Sequence, residues 1–240
     1  MTPLTKGKYT VGLVQSAADM EAAFELRGLC FGMAGGTADA FDAQASHVMV
    51  RSHDTDALVA TFRMAVFAGA DLQKSYAATY YDLTALREFQ GTMLELGRFC
   101  IHPDHVDPDI LRIAWAALTA FVDTNGVQML FGCSSFSGTD PAPYLDAFAL
   151  LKARHLGPAR WIPQVASDDV YRFGMRLRRT PDLARATAAL PPLLRTYLMM
   201  GGWVSDHAVI DRAMNTLHVF TALEIGAIPP ARKSRLRALV

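Results

Sequence analysis

Between residues 93 and 133 the sequence reads as strand, helix, strand, and this order limits the fold more than any other segment. Residues 93–101 form an apolar run interrupted by one Glu and one Arg. Asp107-Pro108-Asp109 then supplies a capping carboxylate, a proline at the first helical position and an acid in the first turn, three signals for a helix start. The helix should run to Asn125-Gly126, a good stop, and residues 127–133 should form the next strand. Two strands joined through a helix are expected to lie parallel.

A first helix is expected from Ser16, which can cap it with Asp19 three residues on, to about Phe31. Helical periodicity puts Met20, Ala23, Phe24, Cys30 and Phe31 on one face, with Glu21, Glu25 and Gly28 opposite. Arg27 falls in the middle of the apolar face, so its guanidinium needs a buried anionic or carbonyl partner. A Gly-rich loop, residues 32–37, leads to Asp39-Ala40-Phe41-Asp42. Strands follow at 47–51 and 58–67, the second alternating and carrying Arg63 inside otherwise apolar surroundings. A short helix near 83–89, a helix at 141–155, an amphipathic stretch at 190–203 and a last strand near 217–225 complete the reading. The expected architecture is mixed α/β with one core: a single domain over 1–240, with residues 165–240 adding helices and a last strand to it.

Lys+Arg and Asp+Glu both number 23, so no global charge calls for nucleic acid, and any electrostatic partner must use a local patch. Arg172, Arg176, Arg178 and Arg179, and at the end Arg232, Lys233, Arg235 and Arg237, are such patches. They read either as solvated faces or as docking sites for an acidic carrier protein or anionic lipid headgroups. Cys30, Cys100 and Cys133 suit free thiols in a reducing compartment. No apolar signal core occupies residues 1–10, and the most apolar stretch, 113–122, is too short to span a bilayer. A cytoplasmic protein is expected, with peripheral contact at the inner face of the membrane left open.

The chemistry centres on Glu95, Gly97 and Arg98. Strict alternation would send Glu95 and Arg98 to opposite faces of a strand, but a glycine between them is a common place for a bulge, which shifts parity. Both charged groups would then share a cleft, and freed backbone N–H groups would be available to polarise an acyl carbonyl. Glu95 would be placed to act as general base on an amine. The competing reading is an internal Glu–Arg ion pair. His102 and His105 with Asp104 and Asp107 offer no arguable ligand geometry, so no metal is expected. Gly132-Cys133-Ser134 opens like a nucleophile elbow, but Phe136 stands where a glycine is needed.

The segment Glu95 to Pro103 with its following helix, and Phe131 to Asp140, resemble the ornithine N-acyltransferase family of the GNAT superfamily. The likeness continues in Asp39-x-Phe41-Asp42, in residues 190–198, in Ile210-Asp211 and in Asn215-Thr216. The resemblance implies a GNAT-like fold and transfer of a 3-hydroxyacyl group from acyl carrier protein to the α-amino group of ornithine, giving lyso-ornithine lipid. The donor would be the acyl-phosphopantetheine of the carrier protein, with no bound cofactor. More distantly, Arg27, Phe31, Asp39, Asp42, Arg63, Glu95 and Arg98 resemble a shared pattern of the acyl-homoserine-lactone synthases. Together these likenesses imply catalytic roles for Glu95 and Arg98 and substrate contacts from Arg27, Phe31, Asp39, Asp42, Arg63, Ser134 and Ser135. Asp39 and Asp42 would hold the cationic end of ornithine. Phe99, Cys100, Ile101 and Tyr197 would line the acyl chain and carrier arm, or in Tyr197's case form plain core.

The chain also departs from the GNAT pattern. Where a glycine-rich loop ordinarily receives the coenzyme A pyrophosphate, this chain has Asp104-His105-Val106-Asp107-Pro108-Asp109, with three acids and no glycine. That disfavours coenzyme A and favours a carrier arm with a single phosphodiester. Where the family commonly has an acid, this chain has Leu217-His218. Two alternatives stay open: another N-acyl amino acid or signal synthase, and a GNAT-like module that docks carrier protein or membrane without catalysis.

Overall fold

The computed structural model describes residues 1–32 and 38–238. The Gly-rich loop expected at 32–37 thus falls, apart from Gly32, outside the described residues. The strands are β1 Leu4–Lys6, β2 Tyr9–Leu13, β3 Ser46–Ser52, β4 Leu58–Phe67, β5 Tyr81–Asp82, β6 Thr92–Ile101, β7 Val127–Ser137, β8 Gln164–Val165, β9 Val170–Tyr171, β10 Trp203–Asp211 and β11 Thr216–Glu224. The α-helices are α1 Ala17–Phe31, α2 Pro108–Thr124, α3 Leu145–Arg154, α4 Phe173–Arg176, α5 Leu183–Ala189, α6 Pro192–Met199 and α7 Pro230–Arg237. None of them is long and apolar enough to cross a membrane. The strand–helix–strand order of β6, α2 and β7 is the one expected from sequence. The chain divides into two compact units.

The first unit comprises Met1–Val66, Leu94–Val127 and Pro230–Val240. Its strands run in the order β1, β2, β3, β4, β6. The first four pair antiparallel, with Val11 opposite Val50 and Val48 opposite Phe62. α1 begins as read, with Ser16 Oγ accepting the Asp19 N–H at 3.1 Å. Its buried face differs from the periodic reading: Ala23, Leu26, Arg27 and Gly28 are buried, while Leu29 stays exposed. α2 starts with Pro108 behind the Asp107 cap and buries Ile110, Ile113, Ala114, Ala117 and Leu118, a stripe of helical spacing. It packs across β1, β2 and β3, and α7 packs on it.

The second unit comprises Phe67–Met93 and Gln128–Pro229. Its sheet runs β7, β11, β10, β9, antiparallel throughout, beside a small β5–β8 pair. Phe136, Phe148, Phe173, Leu194, Val204 and Val219 belong to its core. The amphipathic stretch read at 190–203 is the helix α6 followed by the start of β10. The β10–β11 hairpin turns through Asn215 in the left-handed region at φ 49°. β7 runs further than expected, so Ser134 and Ser135 are strand residues.

Candidate active site

In the first unit, five charged side chains meet from four parts of the chain. Arg27 comes from α1, Arg63 from β4, Arg98 from β6, and Asp39 and Asp42 from the segment before β3. Asp42 Oδ1 accepts from Arg27 Nη1 and Arg63 Nη1, both at 2.8 Å, and its Oδ2 accepts the Asp39 N–H at 2.8 Å. Asp39 Oδ1 accepts from Arg63 and from the Phe41 N–H, and its Oδ2 accepts from Arg98 Nη2 at 2.7 Å. Burial falls outward through the cluster: the side chain of Arg27 is 0% exposed, Asp42 9%, Arg98 12% and Asp39 21%. Burial works against ionisation of both carboxylates. Hydrogen bonds from the arginines and, at Asp42, from the Asp39 backbone outweigh it and hold both below the usual range. Each guanidinium also lies over a ring: Arg27 on Phe24, Arg63 on Phe41 and Arg98 on Phe31.

His47, on β3, closes the inner end. An arginine can only donate, so the 2.9 Å contact of Arg27 Nη2 with His47 Nδ1 makes Nδ1 the acceptor. Nε2–H then donates to the Asp42 carbonyl at 3.0 Å. Burial keeps this ring below its ordinary pKa, consistent with the neutral tautomer. The bridging place of His47 had no signal in the sequence beyond its position after Asp42. The unusual positions of Arg27 and Arg63 did forecast partners, and these are the partners.

Glu95 is 5% exposed on β6, on the same side of the strand as Gly97 by alternation. The backbone break comes one residue later than the glycine: Arg98 itself adopts the left-handed conformation, φ 53°. Gly97 serves a different need. A Cβ there would come 3.2 Å from Arg63 Nε, so the glycine makes room for that guanidinium. Beyond the break, Phe99 stacks on Phe62 with centroids 5.3 Å apart. The Cys30 thiol donates to the Ile101 carbonyl at 3.3 Å. Cys100 is buried, and its pKa is raised by the hydrogen bond with Cys30 and by burial, which leaves it no thiolate for attack at neutral pH.

The N-terminus of α2 is closed by the chain's own carboxylate. Asp107 accepts the Asp109 N–H at 2.9 Å and the Tyr9 hydroxyl at 2.9 Å, and pairs with Lys8 at 3.2 Å. Among the described residues no group of three or more His, Cys, Asp or Glu is arranged to hold a metal. Ser134, Ser135 and Tyr197 belong to the second unit. The buried Ser134 Oγ accepts from Thr221 Oγ1 at 2.9 Å, Ser135 is exposed, and Tyr197 is buried on α6, which pushes its hydroxyl pKa up.

The description of the Acetyltransferase (GNAT) domain family matches residues 25–116, a span that includes Arg27, Asp39, Asp42, Arg63, Glu95 and Arg98. FeeM, an N-acyl amino acid synthase from uncultured soil microbes, shares the fold at TM-score 0.50 and 11% identity, over 94% of this chain and 93% of that one. The fold is therefore that of the GNAT acyltransferases. L-ornithine N(alpha)-acyltransferase of Rhodobacter capsulatus is 33% identical over 197 residues, 80% of this chain and 75% of the relative. The protein of that name from Brucella abortus is 28% identical over 92% of this chain and 86% of its own length. The chain belongs to the L-ornithine N(alpha)-acyltransferase family.

Proposed function

We propose that this enzyme transfers a 3-hydroxyacyl chain from the phosphopantetheine arm of acyl carrier protein to the α-amino group of ornithine, giving lyso-ornithine lipid. The observation that carries the reading is kinship with proteins named L-ornithine N(alpha)-acyltransferase over 80% of the chain. Glu95 takes a proton from the α-ammonium, directly or through water. The amine nitrogen then attacks the thioester carbonyl, the carbon–sulfur bond breaks, and the arm leaves as a thiol with a proton. Arg98 is the group assigned to the thioester region. It is oriented by Asp39 on one side and Phe31 on the other, yet stays partly exposed. The oxygens of Asp39 and Asp42 already accept from arginines and backbone N–H groups. Their part in the reaction is therefore to position Arg63 and Arg98 and to shape the contact surface.

Support for a carrier arm over coenzyme A comes from the start of α2. A helix N-terminus is the ordinary receptor for a pyrophosphate, but here the Asp107 carboxylate accepts the Asp109 N–H and Pro108 has none to offer, with Asp104 and Asp109 adding acids nearby in sequence. An acidic carrier protein would meet Arg232 and Arg235, exposed on α7. The same basic character suits the anionic inner face of a membrane, where the product lipid would accumulate.

Expression in a bacterium lacking such lipids, followed by lipid extraction and mass spectrometry, tests the reaction. A new lyso-aminolipid containing ornithine is expected; failure to acylate any amine from carrier-protein donors would sink the proposal. For the base, Glu95→Gln should lower kcat by about a hundredfold and remove the acid limb of the pH–rate profile. Full turnover of that variant across pH would reject Glu95 as the base.

A further inference from the structure

Residues 172–185 carry five arginines, Arg172, Arg176, Arg178, Arg179 and Arg185, against one acid, Asp182, in a chain whose formal charge is zero. The stretch lies wholly in the second unit, as α4, an extended link and the start of α5. Its charges are compensated unequally. Arg179 Nη2 meets Asp146 Oδ1 on α3 at 2.8 Å, and Arg185 Nε stands 3.7 Å from Asp182 Oδ2. Arg172 interacts with Asp206 by charge without a salt bridge, and Asp206 is already paired with His207 Nδ1 at 2.7 Å. Arg176 and Arg178 are exposed and form no ion pair among the described residues.

The backbone that carries these cations is pinned from below. Phe173 is fully buried and stacks on Phe148 of α3 with centroids 5.1 Å apart. A Cβ at Gly174 would come 2.8 Å from the Asp206 carbonyl oxygen, so α4 lies tight against β10. Lys152 Nζ donates to the Leu177 carbonyl at 2.8 Å, and the Asp182 N–H donates to Asp146 Oδ1 at 3.1 Å. With the inner side held at these points, Met175, Arg176 and Arg178 are left outward in solvent. Two exposed side chains of the stretch are large and apolar: Met175 is 63% exposed, and Leu183, at the start of α5, is 47% exposed. A basic face that serves only to be solvated gains nothing from apolar tips among its arginines. Cations beside exposed apolar tips are the pattern of a surface that rests on lipid, with guanidiniums at the phosphates and the tips below them.

We propose that this face of the second unit docks on an anionic membrane surface, with Arg176 and Arg178 meeting lipid phosphates while Met175 and Leu183 enter the interface. Arginine suits that partner because its planar guanidinium binds phosphate through two N–H groups at once. A bilayer offers anionic groups at every lateral position above an apolar layer, so it satisfies spaced cations and apolar tips together. The arginines alone would equally suit an acidic protein; the exposed methionine and leucine decide for lipid. The inference rests on the proposed function only in that the product is a lipid. It is separate from the basic residues of α7, which belong to the first unit.

Co-sedimentation of the full chain with vesicles tests the surface. Vesicles of phosphatidylglycerol and phosphatidylcholine in equal parts should retain wild-type protein, and phosphatidylcholine alone should retain about tenfold less. Arg176→Glu with Arg178→Glu should lower the affinity for anionic vesicles by about thirtyfold or more, and Met175→Ser by about fivefold. Arg112→Glu, at an exposed arginine paired with Asp109 in the first unit, should leave it unchanged. The substituted side chains are all solvent-facing, so cooperative melts should match wild type. No binding by wild-type protein, full binding by either patch variant, or an equal loss in Arg112→Glu would overturn the proposal. A patch variant that keeps its vesicle affinity and loses affinity for acyl carrier protein would overturn it too, and make an acidic protein the occupant. Turnover with carrier-bound donors is read separately, without vesicles. If wild-type protein acylated no ornithine while the vesicle results held, the proposed function would fall and the docking surface would stand.

Discussion

A guanidinium with no exposed surface is tolerable only where its charge is met, and at Arg27 that duty falls on Asp42. The same oxygen also accepts from Arg63, so one carboxylate compensates two buried cations. Asp42→Asn should therefore destabilise the fold by about 3–5 kcal/mol, the cost of stranding a buried charge. Asp39→Asn, at a side chain 21% exposed, should lose on the order of 1 kcal/mol while reducing activity through Arg98. Urea melts of the two variants check the order; equal losses would mean that the charges do not divide as the geometry suggests. At this scale the sequence was informative where a residue contradicted its surroundings. Arg27 on an apolar helix face and Arg63 in an apolar strand each demanded a partner. The backbone of Arg98 gave no such sign. A positive φ on a residue with a side chain is imposed by packing around it, and the neighbouring glycine drew the expectation one position too early.

Among the elements, α2 shows what local chemistry can announce. Its cap, its proline and its stop are contained within the helix and its ends, so they were readable without the rest of the chain. Asp107 does more than cap, because Tyr9 and Lys8 bind the same side chain and tie β2 and its entry to the helix. Asp107→Ala should cost about 1–2 kcal/mol, seen as a lower midpoint in thermal melts, with kcat for carrier-bound acyl chains little changed. If the opened helix start admitted coenzyme A, acyl-coenzyme A would become a better donor in that variant, which kinetic comparison of the two donors would show. The β10–β11 hairpin is the opposite case. Both strands are buried at most positions, so neither shows the polar–apolar alternation that marks a strand with one wet face. Their pairing depends on elements far away in sequence. The register brings two polar residues they carry, Asp211 and His218, onto one face of the hairpin, which no local pattern announces.

At the scale of the whole molecule, Lys+Arg and Asp+Glu balance at 23 each, so acid stability turns on groups whose environments hold them apart from their ordinary pKa values. His47, His155 and His218 are all held low, each by burial first. When a folded pKa lies below the unfolded one, the unfolded chain binds more protons between the two values, and stability falls as pH drops through that interval. For His218 the interval runs from 6.5 down to about 4. Its contribution is complete above the upper value and diminished by about 2 kcal/mol at pH 5. His47 and His155 act in the same direction. Asp39 and Asp42 stay ionised in this window, because their lowered values move their own loss to below the ordinary 3.8. The enzyme should therefore weaken between pH 7 and pH 5, before its carboxylate network gives way. Urea midpoints measured at half-unit steps should show that decline, and His218→Asn should flatten it without shifting the later, carboxylate-driven loss. A wild-type midpoint that stayed level to pH 5 would mean that His218 takes up its proton in the folded state. Its imidazolium would then stand as a counter-charge to Asp211.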